Sequence, residues 1–329
     1  MNIHVLSPYR RQFAYPSFWK LLQTLSEGGE LINPIDNVHD GILKAAYDTK
    51  LKHILPLLSS LWIIIRTRKV PDAFITFGSY QICFVLILKI FFRKAKYISY
   101  QPELFEFDSK LLTSAFRLSV ASYDLFIDVE PKRLKLRQRY FRGMAGKPAV
   151  VLPNFNHTLA IPAPAAANDV GFVYAGVIDS ENSLVRFCTE FGISSNAIDC
   201  YITKCLDGQA PTQLRFFEPR PFEAIAEVGY RFGLICYPFV NGVRGSLNNK
   251  YCAPSKLFSY LAFGILPVHY GHPTLKRFVK DGISTDKPGC FNTLVVDPSV
   301  IRVLFDEMSR LVIESTEVIV RTIKPAPGC

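Results

Sequence analysis

The residues best suited to chemistry lie in one stretch, 248–268, which reads Asn-Asn-Lys-Tyr-Cys-Ala-Pro-Ser-Lys-Leu-Phe-Ser-Tyr-Leu-Ala-Phe-Gly-Ile-Leu-Pro-Val. Pro254 and Ser255 suit the start of a helix, with Ser255 as its cap. Leu257, Tyr260 and Leu261 then share one helical face, and Gly264 ends the helix before a short buried strand at 265–268. A loop that opens into a helix offers unpaired backbone N–H groups and a positive dipole end. With Lys256 in the first turn, that arrangement suits a diphosphate. The plainer alternative is a packed helix whose Lys256 faces water. Arg244, in Asn241-Gly242-Val243-Arg244-Gly245, is either a second cation for the same anion or a solvated loop arginine.

A second group lies in Tyr100-Gln101-Pro102-Glu103-Leu104-Phe105-Glu106. Glu103 and Glu106 follow a predicted strand and stand three apart, as candidate general bases or as solvated loop carboxylates. His39 is a lone histidine in a polar loop, a weaker candidate. The eight cysteines form no C-x-x-C pair and fit no zinc spacing. Most sit in apolar runs and read as small core hydrophobes in a reducing compartment.

These groups need a scaffold, and apolar strand-length runs alternate with helical segments along the chain. Strands are predicted at 2–6, 72–77, 96–100, 124–128 and 149–152, with helices at 17–27, after 79, at 109–121 and at 131–142. Residues 153–169 lose this periodicity and carry Pro153, Pro162 and Pro164. Alternation resumes with strands at 170–175, 197–202, 233–237 and 265–269 and helices at 180–191, 220–229, 255–263 and 298–316. Such alternation predicts parallel sheets with helices on both faces. The expected organisation is an N-terminal Rossmann-like domain at 1–155, a linker at 156–169 and a C-terminal Rossmann-like domain at 170–329. Ligands are expected in the cleft at the carboxyl ends of the strands.

The chain has 329 residues, 49% hydrophobic and 20% charged, which excludes a disordered protein and suits two cores. A net charge of +10 favours phosphate-bearing partners. Nucleic acid is not expected, because no basic strand carries the aromatic platform it would need. Met1 to Leu6 reads as a buried first strand rather than a secretory leader, and no run reaches transmembrane length.

The 248–268 stretch resembles the donor-binding segment of GT-B glycosyltransferases. In particular it resembles that of the large retaining family (glycosyltransferase group 1) that includes enzymes of bacterial cell-surface polysaccharide synthesis. The match runs through Asn248, Lys250, Tyr251, Pro254, Ser255, Lys256, Leu257, Phe258, Tyr260, Ala262, Gly264, Pro267 and Val268. Phe172-Val173-Tyr174-Ala175-Gly176 resembles the strand and turn that open the donor domain, and Phe217 to Phe222 the segment before a later helix. Tyr100 to Glu106 resembles the acceptor-side loop. The resemblance implies a GT-B fold of two Rossmann-like domains facing a cleft. It also implies a nucleotide-sugar donor, and a glycan or lipid-linked acceptor such as lipopolysaccharide or capsule. Gly176, Arg244, Asn249, Lys250, Tyr251, Pro254, Ser255, Lys256 and Ser259 are the implied donor residues, with Glu103 and Glu106 on the catalytic, acceptor side. The family commonly has two glutamates eight positions apart; here Tyr251 and Ser259 occupy those places. A carboxylate there would hold the ribose hydroxyls, for which Ser259 has less capacity.

Glycosyl transfer requires the departing diphosphate to be stabilised, which oriented N–H groups and one or two cations achieve. No Asp-x-Asp is present, so neither a metal nor another cofactor is expected. Retention follows from the resemblance only. The apolar segments 54–65 and 82–92 end in Arg66, Arg68 and Lys69 and in Arg93, Lys94 and Lys96. Each is either a buried helix or an interfacial one, which would set the protein in the cytoplasm, peripheral on the inner face of the plasma membrane. Three alternatives remain: a catalytically silent GT-B-like scaffold, a nicotinamide enzyme and a two-domain binding protein. No G-x-G-x-x-G follows a predicted strand, which weakens the second, and no export signal supports the third.

Overall fold

The computed structural model describes residues 1–8, 16–27, 29–47, 49–107, 109–155, 171–178, 184, 198–205, 214–220, 222–235, 255–269 and 298–323. Two compact units divide the chain, residues 1–154 with 311–329 and residues 155–310. The closing residues thus group with the first unit, whereas the linear reading placed them with the second. The linker expected at 156–169 lies outside the described residues, as does the helix expected at 180–191 apart from Leu184.

The first unit runs β1 (Asn2–Leu6), α1 (Pro16–Ser26), β2 (Glu30–Ile32), α2 (Asp40–Tyr47), α3 (Leu55–Thr67), β3 (Ala73–Phe77), α4 (Phe84–Phe91), β4 (Lys96–Gln101), α5 (Lys110–Ser119), β5 (Leu125–Asp128), α6 (Pro131–Tyr140) and β6 (Ala149–Val151). Its strands form a parallel sheet in the order β2-β1-β3-β4-β5-β6. A parallel sheet buried on both faces needs near-continuous apolar strands, and β3 (Ala-Phe-Ile-Thr-Phe) is buried throughout. Strand alternation sends Leu6, Phe74, Tyr97 and Phe126 to one face. They pack there against Leu57 and Ile64 of α3, Phe84 and Leu88 of α4, and Phe116 of α5. On the opposite face Phe18 of α1 stacks on Tyr100 at 4.2 Å between ring centres.

Helix starts follow their caps. Ser109 accepts the Leu112 N–H at 3.1 Å to open α5, and Glu130 accepts the Arg133 N–H at 2.8 Å ahead of Pro131.

The second unit contains β7 (Phe172–Ile178), β8 (Ile198–Cys205), β9 (Arg215–Phe217), α7 (Phe222–Ala226), β10 (Phe232–Ile235), α8 (Ser255–Ala262) and β11 (Leu266–His269). Its parallel sheet has the order β11-β10-β7-β8-β9. The chain then enters α9 (Pro298–Ile323), which extends past the end expected at 316. The second half of α9 belongs to the first unit, where Ser315 Oγ donates to the Val151 carbonyl at 2.5 Å. Among the described residues no helix is long and apolar enough to cross a membrane.

One buried group makes this packing pH-sensitive. His4 in β1 is buried, and its Nδ1 shares a hydrogen bond with Ser60 Oγ of α3 at 2.7 Å. Burial lowers its pKa from 6.5 to about 4, against a smaller opposing pull from Glu30. The unfolded chain therefore takes up this proton first. His4's contribution to stability is whole above about pH 6.5 and is lost as pH falls towards 4. The slope is about 1.4 kcal/mol per pH unit. Urea unfolding of wild type and His4→Gln across this range should give a stability difference that shrinks on acidification; a pH-independent difference would contradict the assignment.

Candidate functional site

In the second unit, β7 ends on an irregularity. Its pairing with β8 slips between Gly176 and Val177, and Gly176 has φ +137°, a conformation that side-chain-bearing residues rarely adopt. Lys256, in the first turn of α8, occupies the space so provided. A Cβ at position 176 would lie 3.0 Å from both Lys256 Cε and Nζ. The same ammonium stands 3.9 Å from the centre of the Tyr174 ring, whose face attracts a cation.

Tyr260 sets the position of α8. Its ring is fully buried, and its hydroxyl accepts the Ala175 N–H at 3.2 Å. That hydroxyl also reaches the carbonyls of Val173 and Leu234, at 3.4 and 3.5 Å. The ring lies so close to β10 that a Cβ on Gly233 would stand 2.4 Å from Tyr260 Cγ. Leu257 and Leu261 complete the buried face of the helix.

Of the sequence-predicted donor residues, Gly176 and Lys256 are thus brought together. Ser255 opens the same helix, and Ser259 sits half-buried one turn further on. Arg244, Asn249, Lys250, Tyr251 and Pro254 lie outside the described residues.

In the first unit the two glutamates part company. Glu106 is fully buried. Its carboxylate accepts from Arg137 Nε at 2.5 Å and from Ser79 Oγ at 2.6 Å. Arg137 also donates to the Asp128 carboxylate and to the Glu103 carbonyl. Burial alone would lower the Arg137 pKa, but Asp128 and then Glu106 outweigh it and the pKa is raised. The guanidinium therefore stays charged, tying α6 to β5 and to the loop after β4. This environment is unlike the solvated loop that spacing alone suggested for Glu106.

Glu103 instead lines a cavity of about 270 Å³ at the carboxyl ends of β3 and β4, together with Ser79, Tyr80, Gln81, Lys52 and His53. His53 Nδ1 meets the Gln81 amide nitrogen at 3.3 Å, and its ring stacks on Tyr80 at 4.3 Å. Burial, and then Lys52, lower the His53 pKa. With Gln81 donating to Nδ1, the neutral ring offers its Nε2–H. His39, by contrast, is exposed, and its Nδ1 accepts the Gly41 N–H at 3.1 Å. It stands outside the cavity lining.

Several participants escaped the sequence reading. Gly233 carries a signal, since a glycine inside an apolar strand marks a close approach. His53, Gln81 and Arg137 carry none, because only the sheet topology brings them beside Glu103 and Glu106.

No family model and no curated sequence matches this chain. Solved structures do resemble it. Sucrose-phosphate synthase from Thermosynechococcus elongatus superposes with a TM-score of 0.63 at 12% identity, over 97% of this chain and 96% of that one. The UDP-forming α,α-trehalose-phosphate synthase from Burkholderia xenovorans, in complex with glucose-6-phosphate, gives 0.54 at 9% identity, over 90% and 86%. The N-terminal domain of Candida albicans trehalose-6-phosphate phosphatase gives 0.51 at 10% identity, over 95% and 80%. With the two parallel sheets, this likeness shows the fold: α/β, with two Rossmann-like domains of the GT-B kind.

The burial of Glu106 has a measurable consequence. Glu106→Gln leaves Arg137 buried with one carboxylate fewer, at a cost of about 3 kcal/mol or more in urea unfolding. Glu103→Gln, at the half-buried cavity wall, should change stability by under about 1 kcal/mol. Equal stability of the two variants would contradict the structural role given to Glu106.

Proposed function

We propose that this protein is a glycosyltransferase that moves a sugar from a nucleotide-sugar donor to a glycan or lipid-linked acceptor, of the lipopolysaccharide or capsule kind. The observation that carries the reading is Lys256 held against Gly176. It places a cation and the opening N–H groups of α8 at the carboxyl end of a parallel strand, where anionic ligands of such sheets bind. A diphosphate there would contact Lys256 Nζ, the bulged backbone at Gly176 and the amides after Ser255. As the bond from the sugar to the diphosphate breaks, negative charge grows on the diphosphate oxygens. Lys256 and the helix dipole stabilise that charge without calling on a metal. Arg244, Asn249, Lys250, Tyr251, Pro254 and Ser259 complete the proposed donor set, and residues 249–254 directly precede α8 in the sequence.

On the acceptor side, Glu103 is the group that faces a cavity, and it takes the role of base towards an acceptor hydroxyl. Glu106 acts through Arg137 and Ser79, fixing the loop that presents Glu103. The working location is the cytoplasm, at the inner face of the plasma membrane, where lipid-linked acceptors are found.

One observation favours a second reading, a silent GT-B-like binding or scaffold subunit. Ser259 stands where a ribose-holding carboxylate would be expected. Such a subunit would bind nucleotide sugars weakly and release no nucleoside phosphate.

Thermal unfolding with UDP-, GDP-, dTDP- and CMP-sugars tests the donor site. At about 100 times its dissociation constant, the true donor adds roughly 2.7 kcal/mol of stability. One nucleotide class should raise the melting temperature of the wild type and fail to do so for Lys256→Ala. An equal rise in both proteins, or none with any nucleotide, would overturn the donor assignment.

A further inference from the structure

The helices α3, α4 and α5 cover the same face of the first sheet and share one core cluster. Their outer sides are also apolar. On α3, Leu58, Trp62 and Ile65 point outward at spacings of four and three, Trp62 62% and Ile65 72% exposed. On α4, Ile87, Ile90 and Phe91 do the same, with Ile90 65% and Phe91 69% exposed. α4 reads Phe-Val-Leu-Ile-Leu-Lys-Ile-Phe, with Phe84, Val85 and Leu88 buried in the core. A helix apolar on both sides is stable in water only when something covers the second side.

The three helices carry charge of one sign, and the carboxylates nearest their carboxyl ends are Glu30, paired with Lys69, and Asp72, which accepts the Asn2 N–H. No aspartate or glutamate occurs in α3, α4 or α5. Helices that connect parallel strands run against them, so their carboxyl ends gather along one edge of the layer. Arg66 lies in the last turn of α3, Arg93 and Lys94 directly follow α4, and Arg117 lies in the last turn of α5. Arg66, Arg93, Lys94 and Arg117 are all exposed.

We infer that the outer face of the α3–α4–α5 layer docks on an anionic phospholipid surface. Trp62, Ile65, Ile90 and Phe91 enter the boundary between headgroups and acyl chains, and the cationic edge meets lipid phosphates. Charge complementarity selects this occupant. A second copy would bring the same three helices, which carry cations and no carboxylate, whereas a bilayer supplies apolar depth and negative charge together. Trp62 suits the boundary, with an apolar ring and an N–H that reaches the polar layer. The surface accords with the proposed lipid-linked acceptor but does not depend on Lys256. Vesicle binding without any nucleotide response would remove the enzyme reading and leave the surface standing.

The test is flotation of the full chain with vesicles of phosphatidylcholine alone and of phosphatidylcholine mixed with phosphatidylglycerol. The expected result is binding to the mixed vesicles, with loss of roughly an order of magnitude or more in Ile90→Asn/Phe91→Ser and in Arg66→Gln/Arg93→Gln. These side chains are exposed, so melting curves should be unchanged. A readout that leaves the face intact uses Trp19→Phe, in which Trp62 is the remaining tryptophan, and brominated lipids, which should quench its emission. Absence of binding to both vesicle types would overturn the inference. So would binding that leaves Trp62 unquenched, or a dimer that the Ile90→Asn/Phe91→Ser variant dissociates.

Discussion

Lys256 lies across the end of β7 because residue 176 has no side chain there, and much of the second unit serves that contact. The ammonium rests over Tyr174 on one side and against the bulged backbone on the other. Its reach depends on where α8 sits, and α8 sits where Tyr260 places it. Tyr260 can approach the sheet only over Gly233, where any side chain would collide with its ring. Two glycines on two strands, one tyrosine and one lysine thus form a chain of dependence. A pre-positioned cation suits an anion because the lysine's conformational entropy has already been given up during folding.

The first unit solves a different problem with charge. A loop after β4 must carry Glu103 into a cavity and hold it there. Arg137 does this from the interior by bonding the Glu103 carbonyl, the Glu106 carboxylate and the Asp128 carboxylate together. Burying such a set costs desolvation, and apolar packing would give comparable stability. What apolar packing lacks is direction: a guanidinium with several fixed donors specifies one arrangement of the loop, which a greasy contact would not.

Much of this architecture could be read from the chain alone, because buried parallel strands announce themselves. Residues 2–6, 72–77 and 96–100 are apolar runs closed by helix signals, and β1, β3 and β4 fall on them within a residue or two. β2 and β9 were not legible, since three residues each, Glu-Leu-Ile and Arg-Phe-Phe, are too short to show a period. The helix expected at 298–316 runs on to Ile323, because Ile319 and Ile323 continue its buried face within the first unit. At the site, local chemistry was legible and long-range pairing was not. Ser255 and Lys256 declared a helix start, but the meeting with Gly176, eighty residues earlier in the chain, depends on strand order. Glu103 and Glu106 look alike three residues apart. The difference between cavity wall and buried ion pair comes from Arg137 on a distant helix.

The central claim is that Lys256 holds the phosphates of a nucleotide sugar, and chemical footprinting of that lysine tests it most directly. Reductive methylation, read by peptide mass spectrometry, would compare Lys256 with the exposed Lys44 of α2 as an internal reference, with and without saturating nucleotide sugar. The account predicts strong protection of Lys256 by one class of nucleotide sugar, with Lys44 unaffected. Methylation of Lys256 at an unchanged rate in every saturating nucleotide sugar would contradict it.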